Sequence, residues 1–256
     1  MSENRKFSVL MSVYIKENPV FLEEAVESIL NQTLKPSEVV LVEDGPLTPE
    51  LYQVLEKLTA QSTIPIKRCP LEQNRGLGLA LQYGVLQCQY DVIARMDTDD
   101  IAVRDRFEQQ FNLMEEENLD LLGGHIAEFI DQPDEIVSYR RVPVKHEDII
   151  AYQRMRSAFN HMTVMFKKEM VLKAGNYEDG LYMEDDLLWL NMISAGARTG
   201  NVDQILCKVR VGAGMFERRG GLRYLKLYRQ ARQRMHARGQ ISYGEYLKSV
   251  LIQVVV

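Results

Sequence analysis

The chain is poor in the residues from which several kinds of site are built. Its 256 residues hold three cysteines, Cys69, Cys88 and Cys207, an odd number at wide spacing. They form neither a metal-ligand pattern nor a disulfide framework, and buried thiols in a reducing compartment account for them. The four histidines, His125, His146, His161 and His236, show no zinc spacing, and no Ser-His-Asp arrangement is visible. No apolar run approaches the roughly 18–20 residues that a membrane span requires. The apolar stretch Phe7–Ile15 lacks a small-residue cleavage site and runs straight into Lys16-Glu17-Asn18-Pro19, so it reads as a buried strand rather than a secretory signal. There is no internal repeat and no low-complexity linker. A net charge of -5 excludes a nucleic-acid binder on electrostatic grounds.

What is present suffices for a core of one or two domains, with 46% hydrophobic residues. The charge is unevenly spread. From Lys208 to Arg238 there are ten Lys or Arg residues and one acid, Glu217, so the rest of the chain is distinctly acidic. A basic tail on an acidic body points to an anionic partner near the C-terminus.

The first half alternates strand and helix. Apolar runs at Phe7–Tyr14, Glu38–Val42, Ile64–Cys69 and Asp91–Met96 predict strands. Amphipathic periodicity predicts helices over Pro19–Asn31, Pro49–Leu58, Leu77–Gln87 and Arg104–Glu117. The second half is less regular, with strands at Leu119–Ile130, Thr163–Phe166 and Ile205–Val211 and helices at Glu184–Ser194 and Gly221–Ala237. The apolar end, Leu251–Val256, fits a strand or a continuation into a longer chain. The whole reads as one continuous α/β domain with a mostly parallel sheet covered on both faces. Such sheets bind ligands at the carboxyl ends of their strands, which places Ser12–Tyr14, Glu43–Gly45 and Asp97–Asp100 on one rim.

Three segments carry chemistry. In Arg95-Met96-Asp97-Thr98-Asp99-Asp100 a buried strand ends in three carboxylates, which repel one another unless a cation or a helix dipole offsets them. Capping of the following helix by Asp99 or Asp100 is one reading. A divalent ion shared with a diphosphate is the other, and the strand-end position favours it. Gly180-Leu181-Tyr182-Met183-Glu184-Asp185-Asp186 is the second acidic cluster. It serves either the dipole of its helix or a general base that deprotonates an acceptor hydroxyl. Asn74-Arg75-Gly76-Leu77-Gly78 is a glycine-containing turn into a helix N-terminus, a place suited to an anion. The helix after Arg218-Arg219 is basic and amphipathic, which fits either an anionic membrane surface or a packed helix with a solvated basic face.

In order along the chain, Val9-Leu10-Met11-Ser12-Val13-Tyr14, Ser28-Ile29-Leu30-Asn31-Gln32-Thr33, Val42-Glu43-Asp44-Gly45, Asn74-Arg75-Gly76-Leu77, Asp97-Thr98-Asp99-Asp100 and Glu184-Asp185 resemble glycosyltransferase family 2. These are the inverting sugar transferases of the GT-A fold. The resemblance implies a Rossmann-like sheet flanked by helices over residues 1–212, with a nucleotide-sugar half at 1–118 and an acceptor half at 119–212. A basic helical extension follows at 213–256.

The same resemblance implies roles. Asp99, assisted by Asp97, binds Mn2+ or Mg2+, and Asp100 is left as a helix start. Ser12, Tyr14, Glu43, Asp44, Arg75, Arg95 and Asp97 line the nucleotide sugar. Asp185 is the base with Glu184 beside it, Glu184 and Asp186 being the other candidates. The segments Val42–Pro46, Asn160–Phe166 and Arg218-Arg219-Gly220-Gly221 look like a narrower bacterial group that builds O-antigen or exopolysaccharide units on polyprenyl diphosphate. That likeness implies UDP-Gal or UDP-Glc as donor and GlcNAc- or GalNAc-diphospho-polyprenol as acceptor. It also implies contacts to acceptor or diphosphate from His161, Arg218 and Arg219, and a cytoplasmic place at the inner face of the plasma membrane. The rival readings are a sugar-phosphate nucleotidyltransferase, for which residues 12–20 lack the glycine-rich basic loop, and a non-catalytic metal-stabilised assembly partner.

Overall fold

A computed structural model describes residues 5–179, 183–212 and 221–255. Arg218, Arg219 and the Gly180–Tyr182 part of the second acidic cluster lie outside these residues. The first strand, β1 (Phe7–Val13), is buried nearly throughout, and β2 (Glu38–Glu43) entirely so. Side chains alternate along β1. Phe7, Val9, Met11 and Val13 enter the core on one face of the sheet, while Leu10 enters the core on the other. Both faces are therefore covered, which is why β1 and β2 appear in the sequence as continuous apolar runs.

On the first face lie α1 (Pro19–Leu30), α2 (Pro49–Gln61) and α4 (Arg106–Glu116). The start of α1 is fixed by Asn18, whose Oδ1 accepts from Val20 N at 2.8 Å, with Pro19 in the first turn. Its buried stripe is Leu22, Ala25, Val26 and Ile29. Of these, Leu22, Val26 and Ile29 each contribute roughly 1.5–3 kcal/mol of transfer free energy. Thr48 and Pro49 open α2 in the same way. On the second face α3 (Leu77–Gln87) lies against β1 and β2 at Gly84, where a Cβ would collide with the side chains of Leu10 and Val42.

The strands run in the order β3-β2-β1-β4-β8-β6-β9-β5, with β7 paired to β6. Here β3 is Ile66–Pro70, β4 Val92–Arg95, β5 Ile101–Ala102, β6 Leu121–Phe129, β7 Ile136–Arg140, β8 Met165–Lys167 and β9 Thr199–Arg210. The four strands β3, β2, β1 and β4 are parallel. Beyond them β8 runs antiparallel to both β4 and β6, while β6 and β9 are parallel. The parallel character expected of the whole sheet thus belongs mainly to its first half.

The second half departs further from the periodicity reading. The segment around Gly123-Gly124 is one strand, and β9 starts at Thr199 rather than Ile205. The strand β7 and the helices α5 (His146–Gln153) and α6 (Lys168–Lys173) were not anticipated, being short and weakly patterned. The helix over Arg104–Glu117 starts at Arg106, after Asp105. At the C-terminal end α8 (Gly221–Ala237) and α9 (Tyr243–Val255) form two packed helices, so the apolar end is helical through Val255. They bury Tyr228, Ala231, Met235 and Ile241 in clusters with Met183, Leu187 and Leu190, at and within α7 (Glu184–Ser194). Among the described residues no helix is long and apolar enough to cross a membrane.

Candidate active site

The parallel strands bring the expected rim together. In register, Val13 of β1 pairs with Glu43 of β2, and Leu10 pairs with Arg95 of β4. Extending that register by two residues sets Asp97 level with Ser12. Ser12, Tyr14, Asp97 and Asp99 are partly exposed, whereas Glu43 and Asp44 are buried. Glu43 Oε1 accepts from Arg68 Nε at 2.6 Å. Asp44 Oδ1 and Oδ2 accept from Arg75 N at 2.7 Å and Gly76 N at 3.0 Å. Asp44 therefore pins the turn that leads into α3, and it leaves the Arg75 side chain exposed on the rim. Gly45 (φ +86°) lies against the same turn, since a Cβ there would stand 2.6 Å from Asn74 N.

Asp97, Asp99 and Asp100 each present an oxygen within 4.8 Å of the others. Asp100 is not a helix start. It is buried, its Oδ1 accepts from Arg210 N of β9 at 3.0 Å, and α4 begins six positions later. Burial, and then the charges of Asp99 and Asp97, push its carboxyl well above the usual range. One oxygen of Asp97 is ion-paired with Arg95. Arg95 is almost wholly buried, and among the described residues its Nε and Nη1 have no hydrogen-bond partner. Burial opposes its charge, but Asp97 outweighs that, and the guanidinium stays protonated. Behind this strand end Arg106, also buried, donates to the Arg95 carbonyl at 2.7 Å.

The second acidic cluster faces the same place. At Gly78 in the first turn of α3, a Cβ would stand 2.5 Å from the Glu178 carbonyl and 3.0 Å from Glu184 Cβ. Only glycine admits this approach, so the glycine of the phosphate-like motif serves to bring the two halves together. Glu184, Asp185 and Asp186 occupy the first turn of α7. Burial is the main cause that raises the Glu184 carboxyl, with Asp97 and Asp186 adding repulsion against the pull of its own backbone N–H and Arg95. Asp185 is pushed up to about 8, first by burial and then by Asp186 and Glu184. Asp186 points inward, where its Oδ1 accepts from Gln153 Nε2 at 2.8 Å and its Oδ2 lies 3.7 Å from Arg232.

His161 packs against Tyr177 and Trp189, with Nε2 3.0 Å from the Tyr177 hydroxyl and its ring edge-on to Trp189. Burial, with Arg95 adding, drives its pKa well below the ordinary value, so it is neutral. A neutral imidazole brings no charge to a diphosphate, and an uncharged polar contact is what it offers. The sequence reading missed Tyr177, Arg140 and Arg232. Arg140 lies on the weakly patterned β7, where its charge stabilises the Asp185 carboxylate. Arg232 was one of many basic residues on a helix, with only Tyr228 four positions earlier to suggest an inward face.

The sequence profile of glycosyl transferase family 2 matches residues 8–179. The chain belongs to that family. It is a glycosyltransferase, which sets aside the nucleotidyltransferase and the non-catalytic partner. An uncharacterised glycosyltransferase of Haemophilus influenzae is 47% identical over 86% of this chain and 82% of its own length. The amylovoran biosynthesis glycosyltransferase AmsE of Erwinia amylovora is 43% identical over the same shares, 86% and 82%. A UDP-Gal:alpha-D-GlcNAc-diphosphoundecaprenol beta-1,3-galactosyltransferase of Escherichia coli is 35% identical over 98% of this chain and 90% of its own. Among solved structures, the mannosyltransferase PcManGT of Pyrobaculum calidifontis in complex with GDP-Man and Mn2+ superposes with a TM-score of 0.68 at 15% identity, covering 90% of the transferase and 64% of that chain. The transferase spans 39% of the S. aureus TarS chain it also matches. The fold is of the GT-A type, as the sequence implied.

Proposed function

We propose that the transferase moves a hexose, from UDP-Gal or UDP-Glc, with inversion onto GlcNAc- or GalNAc-diphospho-polyprenol, in O-antigen or exopolysaccharide synthesis. The observation that carries this reading is the convergence of two carboxylate clusters across Arg95, one on the strand rim and one at the head of α7. The names of the relatives from E. amylovora and E. coli support the substrate class.

In this reading Asp185 takes the proton of the acceptor hydroxyl, whose oxygen attacks the anomeric carbon as the bond to the nucleoside diphosphate breaks. A base titrating near 8 suits that task at cellular pH. Glu184 lies beside the acceptor, and Asp186, held by Gln153, is a support rather than a rival base. Ser12, Tyr14, Glu43, Asp44 and Arg75 form the nucleotide wall. Arg95 holds Asp97 in place, and His161 lies on the acceptor side. Arg218 and Arg219 are assigned to a diphosphate from the sequence alone.

The aspartates at 97, 99 and 100 fit a Mn2+ or Mg2+ ion, because hard oxygen donors lie close enough together to share one cation. Bound there, the ion supplies Lewis-acid stabilisation to the departing diphosphate. Incubating the purified protein with UDP-Gal, UDP-Glc, UDP-GlcNAc and GDP-Man, Mn2+ and a GlcNAc-diphospho-lipid is expected to give a disaccharide lipid with a UDP-hexose. Disaccharide from GDP-Man alone would overturn the donor assignment, and release of nucleotide without acceptor glycosylation would overturn the acceptor.

We also assign the protein to the cytoplasmic surface of the plasma membrane. Tyr243, Leu247 and Leu251 form an exposed apolar stripe along α9, beside exposed Lys248. Changing Leu247 and Leu251 to Glu is expected to reduce co-sedimentation with phosphatidylglycerol vesicles several-fold. Unchanged sedimentation would count against this face.

A further inference from the structure

The C-terminal basic segment has a use besides an anionic partner. It follows the part of the chain that the family profile matches, residues 8–179. Yet α8, which leaves Lys226 and Arg229 exposed, turns Arg232 inward toward the segment that bears the proposed base. Arg232 is 1% exposed. Its Nε donates to the Tyr228 hydroxyl at 3.1 Å, its Nη1 to the Arg154 carbonyl at 3.2 Å and its Nη2 to the Met155 carbonyl at 3.1 Å. The same Nη2 lies 3.7 Å from Asp186 Oδ2. Gln153, which donates to the other oxygen of Asp186, accepts from Ala158 N at 2.7 Å. One guanidinium thus joins the end of α5, the first turn of α7 and α8.

Two further arginines of this segment hold the chain just before the acidic cluster. Arg238 forms a bidentate pair with Glu178 at 2.5 and 2.9 Å, and Arg234 donates to the Asp179 carbonyl at 2.9 Å. The Glu178 carbonyl is the group against which Gly78 of α3 rests. Arginines at α8 and just past it therefore hold the chain at Glu178 and Asp179, and Arg232 meets Asp186 in the first turn of α7. Three adjacent carboxylates at one helix end repel one another, and a fixed cation behind Asp186 determines which of them points away from the site.

We propose that Arg232 is a positioning residue for transfer: through Asp186 it sets the first turn of α7 so that Asp185 meets the acceptor hydroxyl. The proposal rests on the reading of Asp185 as base. Misplacing a reacting group by about 1 Å costs on the order of 10²-fold in rate. In the full chain, with Mn2+, UDP-Gal and a GlcNAc-diphospho-lipid, Arg232→Met is expected to lower kcat by about 10²-fold with donor KM within about twofold. Arg232→Lys keeps the charge but not the fork, and is expected to recover part of the loss. Asp186→Asn should match Arg232→Met, and the double variant should be no slower than either single one.

Full kcat in Arg232→Met with only a lower melting temperature would overturn the proposal and leave Arg232 as a structural staple. If Arg232→Met does not fold, Asp186→Asn is the second probe, since it removes the carboxylate through which Arg232 acts. A fall in kcat of about 10²-fold at constant donor KM is expected there, and an unchanged kcat would overturn the idea. Asp185→Asn run in parallel separates the two readings: full transfer in that variant removes the base assignment itself, whereas an inactive Asp185→Asn beside a fully active Arg232→Met removes only the role of Arg232.

Discussion

Replacing Asp185 by Asn is expected to lower kcat by about 10²–10⁴-fold while leaving donor KM within about twofold, the signature of a lost proton acceptor rather than a lost binding contact. Asn keeps the shape and the polar contacts of the side chain, so the first turn of α7 should survive. Steady-state kinetics with donor and acceptor varied separately test this. Transfer at the wild-type rate would move the base to Glu184, because Asp186 is turned toward Gln153 and Arg232.

The same residue sets the expected pH dependence. The groups that act on Asp185 are Asp186 and Glu184, which raise it, and the Asp186 backbone N–H and Arg140, which lower it; burial outweighs them all. As a base it works ionised, so kcat should climb about tenfold per pH unit and level off above about 8. The stability consequence has the opposite slope. A carboxyl raised from 3.8 to about 8 binds its proton more tightly in the folded chain than in the unfolded one, so this group's contribution to stability falls as pH rises across that window. Asp185→Asn removes the effect, and its melting temperature should exceed that of the wild type by more at pH of about 8 than at about 5. A gain that does not depend on pH would contradict a raised Asp185.

Why part of this site was legible in the sequence, and part not, follows from where its interactions lie. The strands β1 and β2 are buried on both faces and so present unbroken apolar runs, while Asn18-Pro19 and Thr48-Pro49 announce their helices locally. The strand-end rule then places Ser12, Glu43 and Asp97 together without any knowledge of packing. Asp100 shows the opposite case. Three acids before a helix suggest a cap, but the partner that decides is the backbone N–H of Arg210, on a strand far along the chain. Arg95 reads as a ligand contact until its burial shows that its charge is directed at Asp97. Arg232 differs from its basic neighbours only in facing inward, and β7 is an edge strand with too few buried residues to leave a pattern.

Asp99→Ala, by contrast with Asp185→Asn, should act on the donor side. Asp99 is partly exposed at the strand end, an oxygen of its carboxylate lies within 4.8 Å of those of Asp97 and Asp100, and the family resemblance makes it the principal ligand. Loss of a principal ligand is expected to cut kcat/KM by on the order of 10²–10³-fold, corresponding to several kcal/mol of lost charge stabilisation. It should also raise the Mn2+ concentration needed for half-maximal UDP binding. Chelation of the wild type should abolish transfer, and added Mn2+ should restore it. Calorimetric titration of UDP at several Mn2+ concentrations separates this from a simple loss of donor affinity, because Asp99→Ala should bind UDP equally with and without the ion. If wild type and Asp99→Ala responded alike to Mn2+, the ion would not be held at this strand end. The three carboxylates would then be balanced by Arg95 and the buried Arg106 behind it, whose charges Asp100 already feels or offsets.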